Sequence, residues 1–562
     1  MRNKPVNSKA LFLTTSPRTP FKMIPEISLL DSEMHGEEWN PRTQAKFYHL
    51  LRERDFFEGD ESKTPALSGR DRINRAPKAL GFVSLPTIGL TPAGESFVYD
   101  NNKEEILLRQ LLKFQIPSPY HPLGKGAADF HVKPYLEIFR LIRTLGEISF
   151  DEFQIFGMQL VDYREFDAIV KKILKFRIDK AKNKGTYRAF RQKVFYEEAA
   201  EIYKEDIQAG NIRTRESKTT TVKAFLDKKI SNLRDYADAG VRYLRATGMV
   251  SVTAIGKTLS IVTDKQKDVD FFLNTIDREP CFVDDLCAYE RYLWNPESIR
   301  LLSDDKAQVI EKLSLEFGKE VDATLPIDKL KSILNDCIEA RTKERIKKQV
   351  ASIKDYSTYE DIENTFDSMQ QSYDPSLFFE WNTWRAMTML NGGDIKANLK
   401  FDDEGNPMST ALGKIADIEC EYGDFDVTVE VSLSSGALQF KMEGEPVPRH
   451  IGIHKEKTHK PTFCFFIAPT INPATVAHFY SLYISNVELY GGKCCIIPLR
   501  LDTFRKMLKD AVDSESRPTP ENIRKLFDNS SKYARQCLLD DENETVWYNK
   551  ITEDANNWLS IA

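Results

Sequence analysis

The chain has 562 residues, a hydrophobic fraction of 41% and a formal net charge of −6 at pH 7. One hydrophobic core does not support this length, so about two to four domains are expected, and the apolar fraction excludes wholesale disorder. No apolar run is long enough to span a bilayer, and the apolar segment from Ala10 to Leu13 is too short for a secretion signal. The eight cysteines form no CxxC pair and no zinc-like grouping with histidine. A cytoplasmic protein with no membrane partner is therefore predicted.

Basic residues are concentrated in the N-terminal half, although the net charge is negative. The segment from Lys171 to Lys193 has ten Lys or Arg residues and one acid, and further basic runs extend from Arg70 to Lys78 and from Arg213 to Arg234. Such runs are often solvated helix faces, but three of them with interleaved aromatic residues favour a surface that contacts phosphates. Because Arg grips guanine or phosphate with two N–H groups, the candidate DNA contacts are Arg70, Arg72, Arg75, Arg242 and Arg245.

Two stretches of the N-terminal half combine a helix with a short β-hairpin. Residues Ala79 to Val98 contain a β-like pair split by Pro86, followed by the start of a helix. Residues Arg242 to Val262 continue a helix to a C-cap at Gly248 and then form two strands joined by a turn at Gly256. A hairpin beside a helix is typical of winged-helix DNA-binding units. The alternative is an α+β packing unit without a DNA role.

From Asp304 to Lys354 the chain is highly charged and helix-prone, with apolar residues at helical spacing and an interruption at Pro326. This segment predicts a helical connector. After Ser372 the pattern changes to α/β. The predicted elements there are a helix from Pro375 to Gly393, a helix from about Gly436, a strand from Thr462 to Ile467, a helix starting at Asn472-Pro473 and a strand from Lys493 to Leu499.

The segment ADIECEYGDFDVTVEVS, residues 416–432, has one acid where a short strand begins and a second acid near the end of the next strand. A turn at Gly423-Asp424 would pair the two strands and bring Asp417 close to Glu430. Two close carboxylates are costly unless a cation neutralises them, and oxygen ligands suit Mg²⁺. The alternative is a solvated hairpin with acids on its exposed face.

The order of helix, strand meander, acidic strand, helix and strand is that of the PD-(D/E)xK nuclease core. In this interpretation the Val431 carbonyl is a third metal ligand beside the two acids. The lysine that usually follows two residues after the second acid is replaced by Ser432, so another polar group must orient or activate the attacking water. The candidates are Glu443 and His450, the latter located after Pro446 in a segment expected to end the preceding helix.

Six blocks of the sequence are long enough to compare with known families. They are FFEWNTW, ADIECEYGDFDVTVEVSLSSGALQFKMEGEPVPRH and FFIAPTIN in the C-terminal half, and TTSPRTPFKMIPEI, RDRINRAPKALGFV and DYADAGVRYLRATG in the N-terminal half. These blocks closely resemble the AlwI family of type IIS restriction endonucleases, which includes site-specific nicking enzymes. The resemblance covers nearly the whole chain, and long gapless blocks are far more specific than a pair of acids.

The resemblance implies roles for particular residues. Asp417 and Glu430 would bind the metal. Glu443 would be a third catalytic acid, and His450 an active-site histidine. Glu380 in FFEWNTW is similar to an additional acidic residue that the family has on the preceding helix. The structural alternatives are capping or surface acids for the carboxylates, and helix termination or pairing with a nearby acid for the histidine.

The resemblance also implies a multidomain fold: an α+β N-terminal DNA-recognition region with winged-helix-like subdomains (residues 1–300), a helical linker (301–371) and a C-terminal α/β PD-(D/E)xK nuclease core (372–562). Such a prokaryotic enzyme would use Mg²⁺ to hydrolyse double-stranded DNA a few bases outside a short asymmetric site, which overall likeness suggests is GAGTC-like, or else GGATC-like. Its partners would be DNA, a transient homodimer or second subunit for second-strand cleavage, and a cognate DNA methyltransferase without a stable complex. The alternatives are a strand-specific nicking endonuclease of the same family and a catalytically inactive DNA-binding regulator.

Overall fold

A computed structural model describes residues 9–54, 56, 62–122, 130–213, 221–252, 258–390, 393–402, 404–411 and 415–561. The chain is a mixed α/β protein whose described residues divide into two compact units, an N-terminal unit up to Cys337 and a C-terminal unit from Ile338. None of the helices in the described residues is both long and apolar enough to cross a membrane. The predicted turn at Gly256 and part of the basic run from Arg213 to Arg234 lie outside the described residues.

The N-terminal unit is mainly helical. Its helices are α1 (Met23–Met34), α2 (Pro41–Glu53), α3 (Pro65–Asn74), α4 (Ala76–Ala79), α5 (Pro92–Tyr99), α6 (Lys103–Lys113), α7 (Pro134–Leu145), α8 (Phe150–Ile155), α9 (Phe166–Lys182), α10 (Tyr187–Ile202), α11 (Lys204–Gln208), α12 (Val222–Arg245), α13 (Gln266–Thr275), α14 (Leu286–Trp294) and α15 (Lys306–Phe317). Its strands are β1 (Val83–Ser84), β2 (Gly89–Leu90), β3 (Glu147–Ser149), β4 (Val250–Val252) and β5 (Thr258–Ile261). Helix α16 (Ile327–Lys354) contains the residue at which the two units divide.

Both predicted hairpins of the N-terminal unit are present as strands. β1 and β2 pair antiparallel on either side of Pro86, and α5 follows with the Thr91 hydroxyl accepting a hydrogen bond from the Gly94 N–H at 3.0 Å. After α12 the chain turns at Gly248, whose φ of +70° suits glycine, and continues into β4. The strand β3 completes a three-stranded sheet in the order β3-β5-β4.

The C-terminal unit is built on one five-stranded sheet with helices packed against it. Its helices are α17 (Tyr359–Ser368), α18 (Pro375–Leu390), α19 (Ala437–Glu443), α20 (Pro446–Thr458), α21 (Pro473–Ile484), α22 (Leu501–Asp513), α23 (Pro520–Leu539) and α24 (Glu544–Asn556). Its strands are β6 (Asp394–Ala397), β7 (Lys400–Phe401), β8 (Pro407–Ser409), β9 (Ile418–Glu421), β10 (Asp426–Val431), β11 (Thr462–Ala468) and β12 (Ile496–Arg500). The strand order is β12-β11-β10-β9-β6.

The central strand β10 changes the sheet from antiparallel to parallel. It pairs antiparallel with β9 and parallel with β11. Val427 and Val429 are fully buried, as are Thr428 and Asp426 on the opposite side of the pleat, which is the pattern of a strand covered on both faces. The predicted strands at β11 and β12 and the helix after Asn472 are confirmed.

The prolines after the acidic hairpin have a double effect on helix boundaries. The predicted helix from Gly436 ends at Glu443, as expected. Pro446 and Pro448, however, occupy the first turn of α20, where the missing proline N–H costs nothing because no intrahelical partner exists there. His450 therefore lies on a second helix and not in the loop that follows the first.

Candidate active site

Asp417 and Glu430 lie opposite each other where β9 and β10 reach the same edge of the sheet. The strand register pairs Ile418 with Val429, and the next position along each strand is Asp417 and Glu430. The Val431 N–H donates to Asp417 Oδ2 at 2.9 Å, and a backbone hydrogen bond links Asp417 to the Glu430 carboxyl. Directly opposed residues of an antiparallel pair point to the same face, so the two carboxylates share one end of the sheet.

Burial and mutual repulsion act on the carboxyls at this edge. Burial, and then the charge of Glu430, raise the pKa of the Asp417 carboxyl well above its usual range. Burial, and then the charge of Glu443, raise the pKa of Glu430, which is only 6% exposed. Glu380 on α18 belongs to the same cluster, because burial and then Asp417 raise its pKa, while the Ala411 N–H donates to its carboxyl at 3.1 Å. Acids that disfavour one another's charge need a cation or protons.

Ser432 occupies the sequence position at which the predicted fold class usually has a lysine. Its hydroxyl donates to Glu443 Oε1 at 2.6 Å, so a serine and a carboxylate stand where the lysine would be. Glu443 follows Gln439 by one helical turn on α19. The buried Gln439 amide donates to the carbonyls of Ser434 and Thr470 at 3.0 and 2.8 Å. These bonds fix the helix that carries Glu443.

His450 contacts the acid pair directly. Its Nδ1 lies 2.8 Å from Glu430 Oε1, and burial, followed by the charge of Arg449, lowers the pKa of His450 to about 4. A neutral imidazole donates from one nitrogen only, so when Glu430 is ionised, as it would be beside a cation, the proton of His450 lies on Nδ1 and a lone pair remains on Nε2. Neutral His450 therefore holds Glu430 and retains one acceptor nitrogen.

The donor set at this edge fits a divalent cation. Within the described residues, no three His, Cys, Asp or Glu side chains are already arranged as a metal site. Asp417 and Glu430 supply two carboxylates whose charge is disfavoured by burial and by neighbouring acids, and β10 brings the Val431 backbone alongside Asp417. Oxygen donors of this kind suit a hard divalent ion, which would remove the repulsion between them.

His454, four residues after His450 on α20, lies buried between two further acids. Its Nε2 is 3.1 Å from Asp426 Oδ2, and its Nδ1 is 3.8 Å from Glu419 Oε1. The nearby Glu419 carboxylate raises the pKa of His454 against the effect of burial, and His454 in turn lowers the pKa of Glu419 to about 2. Helix α20 is thus tied to β10 at two points, His450 to Glu430 and His454 to Asp426.

We expect His454→Gln to destabilise the protein most between about pH 4.5 and 6.5. Because the pKa of His454 is raised in the folded protein, His454 stabilises the fold at pH values below its ordinary pKa of 6.5. This stabilisation is lost as the pH rises through the folded-state pKa. The lowered pKa of Glu419 contributes stability above its ordinary value of 4.5, and this is lost as the pH falls through about 2. The loss at pH 5.5 should be about 1.5–3 kcal/mol.

Thermal melting at pH 5.5 and pH 8 checks this expectation. The Tm of His454→Gln should fall further below wild type at pH 5.5 than at pH 8. His35→Gln is the control, because His35 is exposed and pairs with Asp31 at the surface. An equal fall in Tm at both pH values would contradict an ion pair at His454.

The five predicted arginines occupy different environments. Arg70 and Arg75 are about half exposed and both pair with Asp71. The other three are more enclosed. Arg72 forms two hydrogen bonds with the buried Glu26, at 2.8 and 2.5 Å. Of the two on α12, Arg242 pairs with Asp238 at 3.2 Å, and Arg245 is 3% exposed.

Sequence reasoning missed two contacts of the acidic hairpin. The sequence does not reveal the bond from Ser432 to Glu443, because a serine at the lysine position indicates only that the lysine is missing. His454 was missed although a signal existed: the spacing of His450 and His454 places both on one face of a helix, and Asp426 lies on the same face of a strand as Glu430.

Buried, clustered carboxylates that require a divalent cation are the chemistry of metal-dependent phosphodiester hydrolases. The AlwI restriction endonuclease family matches residues 79–507 of the chain, which is most of its length. The chain belongs to the AlwI restriction endonuclease family; it is a type II restriction endonuclease, a site-specific deoxyribonuclease that binds DNA. Enzymes of this class use divalent metal ions.

Two solved structures are similar to parts of the chain. One is the small subunit, R.BspD6I2, of the heterodimeric restriction endonuclease R.BspD6I, with 24% identity, a TM-score of 0.28, and coverage of 36% of this chain and 96% of that chain. The other is the BpuJ1 endonuclease binding domain in complex with pyrene- and phenanthrene-modified DNA, with 12% identity, a TM-score of 0.35, and coverage of 51% of this chain and 96% of that chain. No curated protein matches the chain.

Proposed function

We propose that this restriction endonuclease is a type IIS enzyme that uses Mg²⁺ to cut DNA a few bases outside a short asymmetric site. The observation that carries the proposal is the register of β9 and β10, which sets Asp417 directly opposite Glu430. Their two carboxylates, with the Val431 carbonyl, would hold the ion. When bound, Mg²⁺ would supply a Lewis acid that polarises the scissile phosphate and lowers the pKa of water.

The other residues of the site would handle the nucleophile and its proton. Glu443, which accepts a hydrogen bond from Ser432 at the lysine position, would accept a hydrogen bond from the attacking water. His450, neutral and bonded through Nδ1 to Glu430, has Nε2 available as an acceptor for the same proton. Glu380 adds negative charge beside Asp417 and would strengthen cation binding.

The organisation proposed for the chain is a DNA-recognition region (residues 1–300), a helical linker (301–371) and a PD-(D/E)xK cleavage domain (372–562). The element order α7, β3, α8, then α12, β4, β5, with the sheet order β3-β5-β4, supports a winged-helix-like subdomain in the first region. The insertion α9–α10 carries the longest basic run, with exposed Lys171, Lys175 and Arg188. These basic residues would contact phosphates.

The arginine assignments follow from exposure. Arg70 and Arg75 are proposed as direct DNA contacts, because their guanidinium groups are about half exposed and share a single acid. Arg72, Arg242 and Arg245 are proposed to act by holding the recognition region in shape, since each is more enclosed. A DNA contact by any of these three would require its present environment to open.

Digestion of supercoiled plasmid with and without Mg²⁺ tests the proposal. We expect cutting that depends on the added ion, and run-off sequencing of both strands should place each cut a few bases to one side of an asymmetric site, GAGTC-like in preference to GGATC-like. EDTA should stop the reaction. A cut inside the recognition sequence, or cutting without any divalent ion, would contradict the proposal, and intact plasmid at every ion concentration would favour an inactive DNA-binding regulator.

The same digest addresses strand choice. The proposed site provides one catalytic centre per chain, so a double-strand break needs a transient homodimer, a second subunit or a second binding event. Linear product with a rate that rises with protein concentration would indicate dimerisation. Open-circle product alone would identify a strand-specific nicking enzyme, the alternative within this family. A cognate DNA methyltransferase would protect the site without forming a stable complex.

A further inference from the structure

The N-terminal unit contains a small polar cavity, whereas the candidate active site belongs to the C-terminal unit. The volume of the cavity is about 130 Å³, and it is lined by Asn74, Lys78, Ala79, Tyr120 and His121. A water molecule takes up about 30 Å³ in the liquid. The cavity is therefore large enough for a phosphate group or for the edge of one nucleobase.

Lys78 brings an ammonium group to this cavity, where the Glu290 carboxylate acts on it from beyond ion-pair distance. Among the described residues, no acid lies within ion-pair distance of Lys78, and its contact is with the face of the Tyr120 ring, 4.9 Å from Nζ to the ring centroid. The Tyr120 hydroxyl is already used, since it donates to Glu290 at 3.0 Å. Burial lowers the pKa of Lys78, so a ligand that accepts hydrogen bonds would stabilise the charged form.

Asn74 presents a donor to the same cavity, and its orientation follows from a neighbour. The indole Nε1–H of Trp39 can only donate, and it donates to Asn74 Oδ1 at 2.8 Å. The amide oxygen of Asn74 is thereby occupied, and the NH₂ group is the part available to a ligand.

His121 forms an uncharged wall. Burial, and then the charge of Lys78, lower the pKa of His121 to about 4, so its ring is neutral near pH 7. Its Nδ1 lies 3.3 Å from the Ser118 hydroxyl. The cavity thus combines two donors, one of them cationic, with two aromatic rings.

We propose that this cavity is a DNA-contact site in which Lys78 and Asn74 donate hydrogen bonds to two acceptor atoms of the bound sequence. Two sources in DNA have that chemistry: the O6 and N7 atoms of guanine in the major groove, and the oxygens of a backbone phosphate. Lys78 is the last residue of the basic run that also contains Arg70 and Arg75, two of the proposed DNA contacts. The inference rests on the proposed placement of DNA recognition in the N-terminal unit.

Binding measurements on the full chain in EDTA test the cavity without cleavage. Duplexes would carry the site found by run-off sequencing, or that site with one base pair changed, and fluorescence anisotropy would be recorded over a series of salt concentrations. Lys78→Met removes the ammonium and keeps the aliphatic stem. Asn74→Asp keeps an oxygen for Trp39 but replaces the donor with an acidic acceptor. Both variants should bind the site about tenfold more weakly than wild type.

Lys46→Met is the matched control. Lys46 is about half exposed and pairs with Glu37 at 2.7 Å. Its substitution also removes one positive charge from the N-terminal unit, but at a position that is distant in sequence from the cavity residues. Its affinity should stay within about twofold of wild type. Melting curves would first establish that each variant is folded. If Lys78→Met does not fold, the binding affinity of Asn74→Asp tests the inference.

The two DNA sources give different results. Guanine recognition predicts that Lys78→Met loses discrimination at one base pair of the site. A phosphate contact predicts equal weakening for every duplex and a salt slope smaller by about one. The inference would be overturned if both cavity variants had the same affinity, specificity and salt slope as Lys46→Met. Cleavage by Asp417→Asn is a separate readout, so a failure of the cavity and a failure of the proposed active site can be told apart.

Discussion

Asp417→Asn and Glu430→Gln are each expected to reduce DNA cleavage by about a thousandfold or more while site binding changes little. Each substitution removes one of two carboxylates that would hold the divalent ion, and such an ion contributes several kcal/mol to stabilising the transition state. The backbone bonds between the two positions should survive, because Asn and Gln retain a carbonyl oxygen that accepts from the same N–H groups. Single-turnover cleavage of a radiolabelled duplex measures the effect.

The same two substitutions are expected to raise the Tm in EDTA. The pKa values of both carboxyls are raised in the folded protein, by burial first and then by neighbouring acids. A carboxyl group whose pKa is raised in the folded protein does not destabilise the fold at pH values below its ordinary pKa. The destabilisation grows as the pH rises from the ordinary pKa towards the folded-state pKa. Neutral Asn or Gln avoids that cost, so the gain in Tm should be larger at pH 8 than at pH 5.

Glu421→Gln is the control for both measurements. Glu421 belongs to β9 but is exposed at its opposite end, so neither cleavage nor Tm should change appreciably. If Asp417→Asn and Glu430→Gln cleave DNA at the wild-type rate, the metal ligands lie elsewhere. If the two variants melt below wild type in EDTA, the acids stabilise the metal-free fold and the repulsion inferred between them is absent.

The acid pair was predictable because its determinants are local. A turn at Gly423 joins two strands with alternating apolar residues, and the number of residues between Asp417 and Glu430 sets their register. Helix starts were predictable for the same reason: Asn472 caps α21, and its side chain accepts from the Ala474 N–H at 2.9 Å. Spacing and capping residues carry this information within a few positions of the sequence.

Partners that are distant in the sequence could not be predicted. Arg72 appeared as a candidate DNA contact because it lies in a basic run, yet its guanidinium binds Glu26, 46 residues earlier. Arg245 is the last residue of a helix whose final turns are buried. The presence of a basic residue near the end of a helix does not reveal that burial. Burial depends on how elements pack, and a linear pattern of charge contains no measure of it.

Arg109→Met is expected to lower the free energy of unfolding of the N-terminal unit by about 3–5 kcal/mol. Arg109 is 7% exposed and donates to Glu105 at 2.7 Å, to both oxygens of Asp304 at 2.7 and 2.9 Å, and to the Ile299 carbonyl. Lys331 donates to the same two acids at 3.0 and 2.8 Å. Removing one member of a buried ion cluster leaves charges without full compensation, which is the costly case for buried ion pairs.

The expected loss should be fully present at neutral pH. Burial raises the pKa of Asp304, but the hydrogen bonds from Arg109, from the Leu301 N–H and from Lys331 together outweigh burial and lower the pKa to about 2. A carboxyl group whose pKa is lowered in the folded protein stabilises the fold at pH values above its ordinary pKa. This stabilisation is lost as the pH falls through the folded-state pKa. Urea unfolding of wild type and Arg109→Met should therefore differ more at pH 7 than at pH 2.5.

Arg300→Met provides the comparison. Arg300 lies close to the cluster in sequence, but its side chain is 67% exposed and pairs with Asp305 only at 3.6 Å, so its loss should cost about 0–1 kcal/mol. Equal unfolding midpoints for the two variants would mean that the Arg109 cluster adds no more than a surface pair. A loss of stability in Arg109→Met but not in Arg300→Met would instead show that ion pairs hold residues 299–304 and α16 against α6. These segments were predicted to be the boundary and the body of a linker.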